Sequence, residues 1–157
     1  MSVAQAATRR RVFTKTSAFH STLEKITRFH DEGGPQALTP PPIFVQVHRD
    51  DRKSLTEGEL EFTLWIGPVP VRWLARHEAG PTPTSFADLM IYGPLAYWRH
   101  EHIFREVPDG VELTDRVTLE HKPGWRGWLT RLVFDGLPLQ ILFFYRHLRT
   151  RLALRRL

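Results

Sequence analysis

Trp98, His100, His102 and Phe104 stand two residues apart, and side chains two apart on a strand share a face. The two aromatic residues mark that face as inward, so both imidazoles point inside while Arg99, Glu101 and Arg105 point out. The same alternation puts Asp115 inward among Val111, Leu113, Val117 and Leu119. It also puts Asp88 on one face with Phe86, Met90 and Tyr92. A carboxylate cannot be buried alone, and imidazole is a natural partner for it. Histidine also titrates near neutrality, which suits it to proton transfer.

Four uses fit such a set of residues. The histidines and aspartates can tie neighbouring strands together behind a core, or supply the few polar contacts that orient an apolar ligand. His100 or His102 can act as a general base held in one tautomer by Asp88 or Asp115. His-x-His with carboxylates is also a usable metal-ligand set, although no metal is expected here and no further cofactor is implied. The chain has no serine in a nucleophile elbow and no glycine-rich phosphate loop. With a three-residue loop at 93–95, Asp88 lies opposite His100. With a two-residue hairpin at Pro108-Asp109, His102 faces Asp115. A glycine bulge at Gly110 would slip that register by one and bury Thr114 and Arg116, so the apolar pattern favours the tight hairpin.

The elements that must hold these residues are punctuated by proline and glycine, at 33–35, 40–42, 67–70, 80–83, 93–94, 108–110 and 123–124. The intervals leave room only for strands, expected at about 43–49, 59–66, 70–78, 85–92, 96–106 and 111–120, with an earlier one at 12–19. That is an antiparallel meander. Ser21-Thr22-Leu23-Glu24 reads as a capping box, followed by Leu23, Ile26 and Phe29 on one helical face. A second helix begins after Pro123-Gly124, with Leu129, Leu132, Val133, Leu137, Ile141, Phe144 and Leu148 forming an apolar stripe. Gly136 and Pro138 are expected to kink or split it. A curved sheet facing this helix cannot be filled by one helical stripe, which leaves a cavity.

Trp73 shares a strand face with Val71, Ala75 and His77 and is expected at the cavity wall together with Trp98. Trp125 and Trp128 open the last helix, where they suit ordinary packing, a guarded entrance or a membrane interface.

Composition sets the outer bounds. At 157 residues and 41% hydrophobic, the chain suits one domain. The absence of cysteine excludes a disulfide scaffold and a thiolate site. No apolar run is long enough for a membrane span, and the N-terminus lacks the order of a secretory signal, so a cytoplasmic protein is expected. The net charge of +5 belongs to the termini. Arg9, Arg10 and Arg11 form one run, Arg146, Arg149, Arg151, Arg155 and Arg156 another, and residues 12–145 hold more acids than bases. A nucleic-acid-binding face is therefore not expected; solvated helix-end arginines are the default reading, and a weak contact of the C-terminal arginines with an anionic partner is the minor alternative.

The run Phe86-Ala-Asp88-Leu-Met-Ile-Tyr-Gly93-Pro94-Leu-Ala-Tyr-Trp98-Arg-His100-Glu-His102-Ile-Phe104 resembles the F-x-D…GP…W-x-H-x-H-x-F signature of SRPBCC ligand-binding proteins. These belong to the START and pollen-allergen superfamily. Leu113-Thr-Asp115-Arg-Val117, Pro123-Gly124 and Phe144-Tyr-Arg146 extend the likeness. The resemblance implies an α+β helix-grip fold, in which a seven-stranded curved antiparallel sheet wraps around a long C-terminal helix, with a short helix or helix pair after the first strand. It also implies binding of lipids, polyketides or other apolar molecules between sheet and helix. Some branches are polyketide cyclases or dehydratases, and others are partners in larger assemblies.

The resulting expectation is a basic tail over residues 1–11 and a single domain over 12–157 that binds a hydrophobic small molecule or lipid. Trp73, Phe86, Met90, Tyr92, Trp98, Phe104 and Phe144 are the expected wall, and Asp88, His100, His102 and Asp115 the polar cluster. A cyclase-like enzyme and an interaction module with a vestigial cavity are the alternatives.

Overall fold

A computed structural model describes residues 10–157; residues 1–9, most of the expected basic tail, lie outside the described residues. Strand β1 (Arg11–Phe19) is followed by helix α1 (Leu23–Glu32) and a short 3-10 turn (Pro35–Leu38). Six strands then run consecutively: β2 (Phe44–Asp50), β3 (Gly58–Ile66), β4 (Val69–Ala79), β5 (Phe86–Tyr92), β6 (Tyr97–Val107) and β7 (Gly110–Glu120). Helices α2 (Trp125–Phe134) and α3 (Gly136–Leu154) close the chain.

The strands form one seven-stranded sheet in the order β1-β7-β6-β5-β4-β3-β2, antiparallel throughout. The proline–glycine clusters fall between elements or at their first residues, where preset or positive φ is needed. The β6–β7 hairpin is the tight one: Val107 pairs with Gly110, leaving Pro108-Asp109 as the loop, and no slip follows. Gly110 has φ +152, and a Cβ there would meet the Phe19 carbonyl of β1 at 2.0 Å. Only glycine lets the first and last strands close up at this corner.

Two apolar clusters lie under the helices. One gathers Trp73, Ala75, Leu95, Trp98, Val117, Leu119, Leu139 and Phe143; the other gathers Phe19, Ile26, Phe86, Phe104, Val111, Leu113 and Leu154. Helix α3 spans both, touching the first through Leu139 and Phe143 and the second through Leu154. The histidine–aspartate cluster lies between them.

Two local expectations are corrected, the cap of α1 and the buried face of the C-terminal helices, and the expected break in the last helix is found. The cap of α1 is Thr22, whose hydroxyl accepts from the Lys25 amide at 3.2 Å, rather than Ser21. The Ser21 amide is spent on the Phe19 carbonyl in the turn leaving β1, and Glu24 pairs with Arg28 instead of reaching back.

The last helix does split, but Pro138 causes no kink. Asp135 caps α3 by accepting from the Gly136 amide at 2.8 Å, and Pro138 falls in the first turn, where amides have no intrahelical partner. The same carboxylate accepts from Arg11 at 3.0 Å and lies 2.9 Å from His121 Nε2.

The larger correction concerns the face that α2 and α3 bury. Leu129, Leu132, Val133, Leu137, Ile141, Phe144 and Leu148 are all exposed. The buried row is Leu139, Phe143, His147, Thr150 and Leu154. The helix is apolar on more than one side, and the side that packs is the one whose polar members find partners. Thr150 donates to the Arg146 carbonyl, and His147 meets Ser17 and Asp115.

Candidate functional site

Strand register places the polar residues in a row. His77 pairs with Asp88, Asp88 with His100, and His100 with Val117. One step along, Phe86 pairs with His102 and His102 with Asp115. Two of the contacts, however, run diagonally. His100 Nε2 donates to Asp115 Oδ1 at 2.6 Å, and His102 Nε2 donates to Asp88 Oδ2 at 3.0 Å. Diagonal neighbours on a sheet are within reach of side chains this long.

His102 sits between two carboxylates, since its Nδ1 also lies 3.2 Å from Asp115 Oδ1. His77 Nε2 closes on Asp88 Oδ1 at 2.8 Å. From the helix, His147 Nε2 reaches Asp115 Oδ2 at 2.7 Å while its Nδ1 meets the Ser17 hydroxyl at 2.7 Å. The rings also pack: Phe86 stacks on His102 at 4.1 Å, and His100 lies 3.9 Å from His102.

These contacts set the charges. Burial alone would raise both carboxyl groups, but imidazole hydrogen bonds and charge hold Asp88 and Asp115 well below the usual carboxylate range. Burial would likewise lower His102, yet its bonds to Asp115 and Asp88 win and raise it. Burial and the neighbouring His102 charge push His100 down to about 4 and His30 down to about 3. The two carboxylates therefore favour the charged form of His102 between them, while burial favours the neutral forms of His100 and His30.

Above this row lies a cavity of about 480 Å³ between sheet and helix. Its apolar part is walled by Phe62, Leu64, Trp73 and Trp98 from the sheet and by Phe134, Leu139, Leu142 and Phe143 from the helices. Its polar part carries His30, His77, Asp88, His100, His102 and Arg146. Pro41, Val133, Pro138 and Ile141 line the cavity and are exposed as well, which puts the mouth between the start of α3 and the segment before β2.

Of the expected wall, Trp73, Phe86 and Trp98 line this cavity; Asp88, His100 and His102 do so from the polar cluster. Asp115 is 1% exposed and lies behind it. Four expected wall residues do not reach it. Phe104 is consumed by the second apolar cluster. Met90 is half-buried, packed against the first. Tyr92 is 62% exposed, beyond a register shift at Leu74/Ala75 that ends the alternation. Phe144 is also 62% exposed, on the outer face of α3, and its neighbour Phe143 takes the place foreseen for it.

His30, His77, His147 and Arg146 join the site without having been foreseen. His77 was legible, two positions beyond Ala75 on the face of Trp73. The others needed the orientation of the helices.

Asp88, His100 and His102 each bring a ligand atom within 4.8 Å of the others. Holding a divalent cation there would require His102 to lose a proton and its bond to Asp88. The residues are better matched to each other than to a metal.

No protein-family model matches the chain, and no curated protein matches it in sequence. Solved structures do. The protein TTHA0849 from Thermus thermophilus superposes with a TM-score of 0.66 at 15% identity, covering 91% of this chain and 99% of its own. A START superfamily protein from Mycobacterium smegmatis gives 0.62 at 12% identity, over 92% and 97% of the two chains. Zhui aromatase/cyclase from a Streptomyces species gives 0.64 at 11%, over 94% of each. The chain thus has the SRPBCC/START-like helix-grip fold, with the seven-stranded sheet, the helix after β1 and the long C-terminal helical segment that this fold requires. None of its helices within the described residues is long and apolar enough to cross a membrane.

Proposed function

We propose that the protein binds a hydrophobic small molecule or lipid non-covalently in the cavity between sheet and α3, for carriage, sequestration or sensing. The observation that carries this reading is the cavity itself, about 480 Å³ with indole and aliphatic walls and an exposed mouth. Ligand sites are commonly of this size, mostly apolar, with a few converging polar groups. Each methylene removed from water there contributes about 0.8 kcal/mol, so an apolar chain needs few polar contacts. Native mass spectrometry of freshly purified protein tests the reading. A mass excess removable by organic extraction is expected; a bare chain that also takes up no added dodecan-1-ol overturns it.

A cyclase- or dehydratase-like enzyme is the second reading, and the His100–Asp115 pair favours it. Asp115 fixes the Nε2–H tautomer and leaves the Nδ1 lone pair of His100 available. Two features weigh against it. A histidine held at about 4 is a weak base at neutral pH. Both His102 nitrogens face carboxylates, Nε2 at 3.0 Å from Asp88 and Nδ1 at 3.2 Å from Asp115, which favours the charged form that has no lone pair to offer. His100→Ala separates the readings, since it should abolish any turnover yet reduce ligand binding only modestly. An interaction module with a vestigial cavity has less support, because the cavity is roomy.

A further inference from the structure

We infer that the ligand carries an anionic head, a carboxylate or a group of like charge, and that Arg146 receives it. This rests on the binding reading above. Two guanidinium groups line the cavity. Arg52 is already neutralised by Asp50, at 2.7 and 2.6 Å. The Arg146 guanidinium has no hydrogen-bond or ion-pair partner among the described residues, and its Nε is buried without an acceptor.

Neither nearby carboxylate is bonded to it: Asp115 is held by His100 and His147, Asp88 Oδ2 by His102, and His77 Nε2 lies 2.8 Å from Asp88 Oδ1. Burial accordingly pulls the Arg146 pKa down from its ordinary value. A guanidinium offers five donors in a planar fork; Arg146 is half-buried, and its Nε, shut away from water, is a donor left unmade at a cost. A bidentate carboxylate satisfies both the charge and the geometry. The site is built for this arrangement. Arg146 stands one turn beyond Leu142 on α3, so a ligand whose tail lies against Leu142 and Phe62 can present its head to the guanidinium.

Paired probes of equal chain length test the proposal. Dodecanoate and dodecan-1-ol are titrated against the full chain at pH 8 by calorimetry. The expected result is at least about tenfold tighter binding of the acid. Arg146→Met should erase that preference while keeping alcohol binding, which also reports that the variant folds. Arg146→Lys keeps the charge, loses the fork and should fall between. Equal affinities in the unmodified protein, or a preference that survives Arg146→Met, overturn the anionic head and leave the apolar-ligand reading standing. Failure of both probes to bind overturns both.

A separate observation concerns the outer face of α2 and α3. Trp125, Trp128, Leu132, Leu137, Phe144 and Leu148 form an uncovered apolar strip. Around it Arg126, Arg131, Arg149, Arg155 and Arg156 are exposed, and beyond Glu120 the only acid is Asp135, which is buried. The geometry points to an anionic lipid surface as the occupant. Indole and aliphatic groups fringed by arginine fit the headgroup boundary of such a bilayer. A second copy of this chain would set the same arginine fringe against itself. Val133 and Ile141 belong both to this strip and to the cavity mouth, so docking would bring the mouth to the lipid.

Sedimentation with vesicles tests the surface. The chain should pellet with phosphatidylcholine–phosphatidylglycerol vesicles at low salt, not with pure phosphatidylcholine, and release as ionic strength rises. Replacing Trp128 and Leu132 by serine, both exposed, should weaken binding about tenfold or more with an unchanged circular dichroism spectrum. The proposal is overturned by no pelleting with the anionic vesicles, by undiminished binding of the double variant, or by a dimer in sedimentation velocity that the double variant dissociates.

Discussion

His147 on α3 lies 2.7 Å from Asp115 on β7, through Nε2 and Oδ2. The contact ties the closing helix to the floor of the sheet at the level where the two apolar clusters part. Asp115 Oδ1 is at the same time 2.6 Å from His100, so one carboxylate holds a cavity-lining imidazole and the helix above it.

Removing that carboxylate should therefore destabilise the whole domain. Asp115→Ala leaves His100, His102 and His147 without their shared acceptor, and breaking a buried pair from one side costs about 3–5 kcal/mol. Urea unfolding followed by tryptophan fluorescence gives the number. A loss below about 1 kcal/mol would mean that the cluster is solvated rather than buried.

Stability should also fall on mild acidification. His30 and His100 are held in the folded state at about 3 and about 4, below the 6.5 of an unperturbed imidazole. The unfolded chain thus takes up protons first, so the stability these groups contribute is complete above pH 6.5 and is lost as pH falls towards 4. Each contributes a loss of about 2 kcal/mol by pH 5. His102 acts oppositely: its raised pKa gives stability that is complete below 6.5 and is lost as pH rises through the folded value. The lowered Asp88 and Asp115 weaken the fold only below 3.8. Urea midpoints at pH 7, 6 and 5 check the acid limb. His30→Phe should remove about half of the fall, whereas a flat profile in the unmodified protein would contradict the neutral, buried assignment.

The orientation of α3 makes adjacent phenylalanines behave differently. Phe143 is 1% exposed and Phe144 is 62% exposed. Phe143→Ala should cost about 3–5 kcal/mol, and Phe144→Ala should stay within about 0.5 kcal/mol. The reverse ranking would restore the stripe that apolar spacing alone suggests.

That stripe also marks the boundary of what sequence reading reaches. Period-two alternation located all seven strands, and proline–glycine punctuation located their turns, because both signals are local. The His102–Asp115 register followed from the tight hairpin and from which face was apolar; the Asp88–His100 register is also found, although β5 and β6 part after Leu89–Arg99 and the connection is longer than the three residues expected. Helix α3 was different, since it offers apolar residues all round and its buried side includes His147 and Thr150. What makes that side packable is Ser17 and Asp115, far away in the chain, and no local pattern announces them. Arg146, read as one of a terminal run of charges, became a cavity residue only once the helix had a direction. Tyr92 failed for a related reason: alternation carried past the register shift at Leu74/Ala75 assigns a face that the strand no longer has.

The hollow itself is tested most directly by filling it. Ala75 is 6% exposed, sits beside Trp73 and Trp98 and lines the cavity, so a larger side chain there grows into the space a ligand would use. Titration of the unmodified chain with an apolar fluorescent probe should show one saturable site that quenches tryptophan emission. Ala75→Phe, with its circular dichroism unchanged, should lose at least about tenfold in affinity, as expected when ring volume displaces ligand contacts. Equal probe binding by the two proteins would place the ligand elsewhere and contradict the account.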